Sequence, residues 1–231
     1  MSDSRLSIIV PVLNEAHSIE ASLTALQPLR RRGVEIVVAD GGSDDNSAAL
    51  ARPYCDQIVL APRGRAVQMN AGAAAARGDI LLFLHADTQL PPHVMNAVQG
   101  DRKGHGWGHF DVRISGSSVW LPVIARMMNL RSRLTGIATG DQAIFVSREL
   151  FERVGGYAEI PLMEDIDLSR RLRACAWPRA IRDPVWTSGR RWDTQGAWRT
   201  ILLMWRLRLS YWLGASATSL ARQYRDVRSP L

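Results

Sequence analysis

Leu6-Ser-Ile-Ile-Val-Pro-Val-Leu13 is a short β-branched run that stops at Asn14-Glu15, and Ile19, Leu23 and Leu26 follow it at helical spacing. The pattern predicts strand, turn and helix. Glu35-Ile-Val-Val-Ala39 is a second buried strand ending at Asp40-Gly-Gly, after which Ser43 is placed to cap a helix over residues 44–51. The unit then recurs: a strand at Ile58-Val-Leu60, a small-residue helix over 65–77 closed by Gly78, and a strand at Ile80-Leu-Leu-Phe-Leu84 that stops at His85-Ala-Asp87. Continuous apolar strands alternating with helices imply a doubly wound, mostly parallel α/β sheet covered on both faces. In such sheets ligands sit beyond the carboxyl ends of the strands, where Asn14-Glu15, Asp40-Gly-Gly42 and His85-Ala-Asp87 fall.

Past Pro91-Pro92 the texture changes to α+β: a Gly/His-rich segment over 104–113, an apolar helix over 120–134, a strand near Ala143-Ile-Phe-Val146, a helix from Glu164, and a long helix over 195–213. No linker, repeat or low-complexity stretch separates the halves. The reading is therefore one domain over 1–231, with a lobe over about 1–90 and a smaller α+β lobe over about 91–231.

Composition narrows the class. The chain has 231 residues, 46% of them hydrophobic and 22% charged, as soluble globular proteins do. Its two cysteines, Cys55 and Cys175, form no metal-binding or redox spacing, and the polar start carries no secretory signal, so a cytoplasmic protein is expected. Arg199, Arg206 and Arg208 interrupt the apolar stretches near the end, which falls short of the roughly twenty apolar residues of a spanning helix. The net charge of +7 comes almost wholly from arginine, since Lys103 is the only lysine. That charge suits anionic partners, and it equally fits a genome that writes arginine for lysine. Without an aromatic platform or a helix-turn-helix pattern, nucleic acid is not expected. Trp198, Trp205 and Trp212 recur at spacing seven on the last long helix. That stripe is expected mostly in the core or an interface, with peripheral contact at the inner face of the membrane as the other option.

Four clusters carry candidate chemistry. Asp40-Gly-Gly42 between strand and helix suits close approach of a ligand, and the same residues also make an ordinary capped turn. Pro62-Arg-Gly-Arg65, with Asn70 behind it, sets arginine beside a helix start where a diphosphate fits, or forms a solvated loop. Asp87 offers a carboxylate oxygen to a divalent cation, with His85 as a second donor or as a hydrogen-bonding strand-end histidine. Glu164-Asp-Ile-Asp-Leu-Ser-Arg-Arg puts carboxylates at a helix start, which stabilises the helix by itself and also places an acid to take a proton from a substrate hydroxyl.

In order, Val10-Pro-Val-Leu-Asn-Glu15, Val38-Ala-Asp-Gly-Gly-Ser-Asp44, Asn70-Ala-Gly72, the Gly78 to Asp87 strand, Gly155-Gly-Tyr157 and Met163-Glu-Asp165 resemble the family 2 glycosyltransferases of GT-A fold. Gly140-Asp-Gln-Ala-Ile-Phe145, Pro161-Leu-Met-Glu-Asp165 and Ser188-Gly-Arg-Arg-Trp192 bring the resemblance nearest to small bacterial radical-SAM/selenodomain-associated members. The resemblance implies inverting hexosyl transfer from a nucleotide-diphosphate sugar, UDP-sugars being favoured, to a hydroxyl, carboxyl or lipid-linked acceptor. Asp40 would contact the base; Pro11, Asn14, Glu15 and Gly42 would line the nucleoside pocket; Arg65 and Asn70 would hold the nucleotide. Asp87 matches the last aspartate of the family's metal motif, with His85 in place of the first, and Mg²⁺ or Mn²⁺ is the implied ion. Asp165 matches the general base with Glu164 beside it, and Asp141, Arg191 and Trp192 fall on the acceptor side. A sugar-phosphate nucleotidyltransferase and a non-catalytic nucleotide-sugar-binding protein are the alternatives, and a homodimer is left open.

Overall fold

The structure, a computed structural model, describes residues 5–99, 106–189 and 197–228, excepting the side chains of 197–199, 201 and 225–228. Arg191 and Trp192, expected on the acceptor side, lie outside these residues. Eight strands form one sheet in the order β3-β2-β1-β4-β7-β6-β8-β5. β1 (Leu6–Val12), β2 (Glu35–Asp40), β3 (Gln57–Leu60) and β4 (Ile80–Phe83) are parallel, with Val12 opposite Asp40 and Ile9 opposite Phe83. β7 (Phe145–Ser147) runs antiparallel to β4, β6 (Trp107–Ser115) antiparallel to β7, and β8 (Arg179–Ser188) parallel to β6. The two-residue β5 (Thr88–Gln89) closes the far edge against β8, Thr88 opposite Thr187.

The two-residue period of the strands divides the core between two faces. Ile8, Val10, Val12, Ile36 and Val38 pack with Ile19, Leu23 and Leu26 of α1 (Ile19–Arg30), and with Leu121 and Ile124 of α5 (Leu121–Thr135) further along the same face. Ile9, Val37, Leu81 and Phe83 face the other way, onto Ala66, Met69 and Ala73 of α3 (Arg65–Ala75) and Leu168 and Leu172 of α7 (Glu164–Cys175). Both faces are covered, as the unbroken apolar strands demand. Short helices complete the layers: α2 (Ser47–Ala51), α4 (Val94–Gln99) and α6 (Arg148–Arg153). α8 (Ala197–Trp212) and α9 (Ala217–Arg228) follow β8, and Leu207 and Leu220 pack with Met163 at the entrance to α7.

Several expectations are corrected. Ser43 does not cap a helix over 44–51; its hydroxyl donates to Asp40 Oδ1 and accepts from the N–H of Asn14, so α2 begins only at Ser47. α3 ends at Ala75 because the N–H groups of Arg77 and Gly78 leave the helix for Glu35 Oε2 and Ser7 Oγ. β7 starts at Phe145 rather than Ala143, whose φ of +45° ends the tight turn Gly140–Gln142. Trp205 and Trp212 are not core residues: they stand 58% and 80% exposed, while the inner face of α8 carries Thr200 and Leu207.

Candidate active site

The amino-terminal loops meet at the carboxyl rim of β1 and β2. Asn14, held at φ +56°, donates its backbone N–H to Ser43 Oγ at 3.0 Å, and its side-chain oxygen accepts from the N–H of Asp44 at 2.8 Å. Glu15 donates its N–H to Ser47 Oγ at 2.7 Å, and its carboxylate accepts from Ser18 Oγ at 2.8 Å. Pro11 lies in β1 opposite Ala39, at the inner end of the same loops. Asp40 is buried at the end of β2 and turns onto its own loop, accepting from the N–H groups of Gly42 and Ser43 and from the Ser43 hydroxyl. Gly42 supplies the φ of +75° that this turn requires.

Gln68, which the sequence reading assigned no role, locks this rim from α3. Its buried amide donates to the carbonyls of Val12 at 2.6 Å and Ala39 at 2.9 Å, bridging the ends of β1 and β2, where Val12 also accepts from the N–H of Gly41. A lone glutamine in a small-residue helix gives no sequence signal for this. Arg65 starts α3 after Gly64, and its guanidinium reaches Glu164 at 3.3 Å, joining α3 to the start of α7.

A second group converges on Gly140. The N–H of Gly140 donates to Asp165 Oδ2 at 2.8 Å, and Asp165 Oδ1 accepts from Ile166 N–H at 2.7 Å. His85 Nδ1 lies 3.2 Å from Asp141 Oδ1, so Nδ1 carries the proton, because a carboxylate only accepts. The other ring nitrogen, Nε2, is buried against the backbone of Gly140 with no hydrogen-bond partner among the described residues. A Cβ at position 140 would come within 2.4 Å of it. His85 thus braces the strand end against the Gly140–Gln142 turn through Nδ1. Asp87, two residues on, is exposed, with a long 3.4 Å contact from Thr88 Oγ1. Among the described residues no three His, Cys, Asp or Glu side chains gather as a ready ligand set. A divalent ion here would take Asp87 and complete its shell from elsewhere.

Asn70 is held by the fold as well. Its amide pairs twice with the backbone of Tyr157, Nδ2 donating to the carbonyl and Oδ1 accepting from the N–H, each at 2.9 Å. It ties α3 to the Gly155-Gly156 turn.

The charges interact across the site. Burial raises the Glu164 carboxyl above the usual range, Asp165 adds to the rise, and Arg65 opposes it. Enclosure works against the charge of Arg65, but the carboxylates of Glu164, Asp141 and Asp165 outweigh it and hold the guanidinium charged. The Tyr157 hydroxyl is pushed up by burial and by Asp165 and Glu164. Asp40, Arg65 and Gln68 at one end, and His85, Asp141, Glu164 and Asp165 at the other, therefore occupy one rim, the carboxyl edge of the parallel strands.

This sheet, flanked by helices and carrying its polar groups on that rim, is the GT-A type. Residues 7–154 match the model of glycosyl transferase family 2, more than half of the chain, and the protein belongs to that family. It is 32% identical over 155 residues to an undecaprenyl-phosphate 4-deoxy-4-formamido-L-arabinose transferase of Pseudomonas aeruginosa, covering 59% of this chain and 44% of that protein. It is 30% identical over 101 residues to an uncharacterized glycosyltransferase of Nostoc sp., covering 41% of this chain and 31% of that one. The chain thus spans less than half the length of these curated relatives. Among solved structures, a mannosyltransferase from Pyrobaculum calidifontis in complex with GDP-Man and Mn²⁺ superposes with a TM-score of 0.61 at 25% identity, over 81% of this chain and 57% of that one. TarS of S. aureus reaches 0.63 at 16% identity, a likeness of fold alone.

Proposed function

We propose that this chain is an inverting glycosyltransferase that moves a hexosyl group from a nucleotide-diphosphate sugar, preferentially a UDP-sugar, to a hydroxyl, carboxyl or lipid-linked acceptor. The convergence of the β4 end and the α7 start on Gly140 carries the reading, because it sets Asp165 beside the turn that follows the donor strands. The residues over about 1–90 form the donor lobe and those over about 91–231 the acceptor lobe of one domain. The Gly140, Pro161 and Ser188 motifs support placing the chain with the small radical-SAM/selenodomain-associated members of the family.

Pro11, Asn14, Glu15, Asp40 and Gly42 form the nucleoside wall, and Arg65, held charged by three carboxylates, faces the diphosphate. The single exposed carboxylate of Asp87 fits Mg²⁺ or Mn²⁺, ions that take one or two carboxylates and complete their shell with phosphate and water. When bound, such an ion neutralises charge on the departing diphosphate. Asp165 accepts the acceptor proton through a carboxylate already oriented by Gly140 and Ile166. The acceptor oxygen then bonds to the anomeric carbon while the carbon–oxygen bond to the diphosphate breaks, its electron pair leaving with the diphosphate. One displacement inverts the centre.

No helix among the described residues is long and apolar enough to cross a membrane. Peripheral attachment at its inner face is part of the proposal, supported by the outward Leu202, Trp205, Leu209 and Trp212 of α8.

Product analysis with UDP-, GDP- and TDP-sugars plus Mn²⁺ tests the reading. Free nucleoside diphosphate together with a glycosylated acceptor supports it, pyrophosphate supports a nucleotidyltransferase, and a thermal shift without turnover leaves a binding protein.

A further inference from the structure

Two arginines without a role so far stand on the acceptor side of Asp165. Arg131 projects from α5, where one guanidinium nitrogen makes only long contacts, 3.4 Å to the Ile137 carbonyl and 3.5 Å to Gln142 Oε1. Arg208 projects from α8, next to Leu207, whose side chain is buried against Met163 at the entrance to α7. The Nε atoms of both are buried and have no hydrogen-bond partner among the described residues.

The two like charges also lie within electrostatic reach of each other. Burial and then the charge of Arg208 push Arg131 down to about 10, with Asp165 and Asp141 pulling it back up. Burial likewise lowers Arg208 against the same two carboxylates. Asp165, however, already accepts from Gly140 and Ile166, and Asp141 faces His85. Two half-buried arginines whose Nε donors are buried and unmet are costly unless an anion joins them, and planar N–H forks match phosphate oxygens in pairs.

We propose that Arg131 and Arg208 form an anion subsite beside Asp165 that holds a phosphate group of the acceptor. The assignment rests on the sugar-transfer reading for the word acceptor; the subsite itself does not. It separates the roles of the basic residues: Arg65 on α3 serves the donor diphosphate, whereas the pair on α5 and α8 selects acceptors that carry a phosphate.

Inorganic phosphate is the first probe, titrated at constant ionic strength with and without saturating UDP and followed by calorimetry. Wild type binds phosphate in the presence of UDP, Arg208→Gln weakens that binding at least about tenfold, and the Arg131→Gln/Arg208→Gln double variant removes it. Arg206→Gln, which alters a solvent-facing arginine of the same helix bonded to Gln223, stays within about twofold of wild type, as expected for a surface group. UDP-dependent stabilisation of Arg208→Gln shows that the variant is folded. Equal phosphate affinity in wild type and the double variant, or no binding up to about 50 mM, overturns the subsite. Phosphate binding of the expected pattern without binding of UDP, GDP or TDP leaves the subsite standing and removes the sugar-transfer reading, whereas nucleotide binding without phosphate binding does the reverse. Competition by glycerol 3-phosphate assigns a soluble phosphate ester, and competition by phosphatidylcholine vesicles only when they contain phosphatidic acid assigns a lipid phosphate; both place the ligand at the same pair.

Discussion

Asp165 receives the backbone N–H of Gly140 at 2.8 Å, so the carboxylate at the start of α7 is aimed by a turn that immediately precedes a different strand. Asp165→Asn keeps the shape and loses the proton-accepting charge. Transfer falls by about 10²- to 10⁴-fold, the range for loss of a general base, while UDP still raises the melting temperature. Transfer by this variant at the wild-type rate removes Asp165 from the chemistry.

His85 and Gly140 are in direct contact, with room for no atom between them. Gly140→Ala drives a methyl into the imidazole and destabilises the fold by about 1–3 kcal/mol, the usual cost of overpacking. Combining it with His85→Ala opens the space and recovers part of the loss. Thermal denaturation of the two single variants and the double variant reads this as a non-additive cycle, and strict additivity refutes the contact.

Asn70 is spent on the backbone of Tyr157 through two hydrogen bonds. Asn70→Ala therefore lowers stability by about 1–3 kcal/mol, since a main-chain donor and acceptor lose their partner. UDP affinity changes less than about threefold, an effect below 0.7 kcal/mol. A large affinity loss with unchanged stability returns Asn70 to the nucleotide pocket.

The raised carboxyl of Glu164, caused first by burial and then by Asp165, gives stability a pH signature. The folded state keeps a proton that the unfolded chain releases near about pH 4.3. The contribution is fully present below that pH and is lost as pH climbs through the folded value. Glu164→Gln cannot ionise and so flattens this dependence: the melting-temperature difference, variant minus wild type, grows as the pH rises above about 4.5. A difference that stays constant across the range dissociates Glu164 from the effect.

The first ninety residues were legible because β1, β2 and β4 are buried on both faces and read as unbroken apolar runs with helices between. β6 was hidden by its composition. Gly108 is there because a Cβ would meet the Arg179 carbonyl at 2.2 Å and the Phe145 ring, and His109 is a fully buried core residue whose basicity burial lowers. β8 carries Pro184, tolerated where the pairing shifts register between Phe110 and Asp111. At the site, charged residues at strand ends announced themselves, while Gln68 and Gly140 did not. Their roles depend on which backbone groups lie across the gap, and tertiary contact alone determines that. The ties that Asn70 makes to Tyr157 and His85 to Asp141 were hidden from the sequence for the same reason.

Asp87 sits in the link between β4 and β5, residues 84–87, and the sheet order sets β7, β6 and β8 between those two strands. Laid flat at ~4.8 Å per strand, the gap is ~19 Å, beyond the ~17 Å that the five peptide steps from Phe83 to Thr88 span when fully stretched. The sheet must therefore bow, and it bows further than a stretched link would demand, because the N–H of Thr88 folds back onto the His85 carbonyl at 3.0 Å. Asp87 is carried inside that turn, one residue before the Thr88–Thr187 pairing that anchors its far end. Curvature of the whole sheet is thus what hangs this carboxylate over the rim.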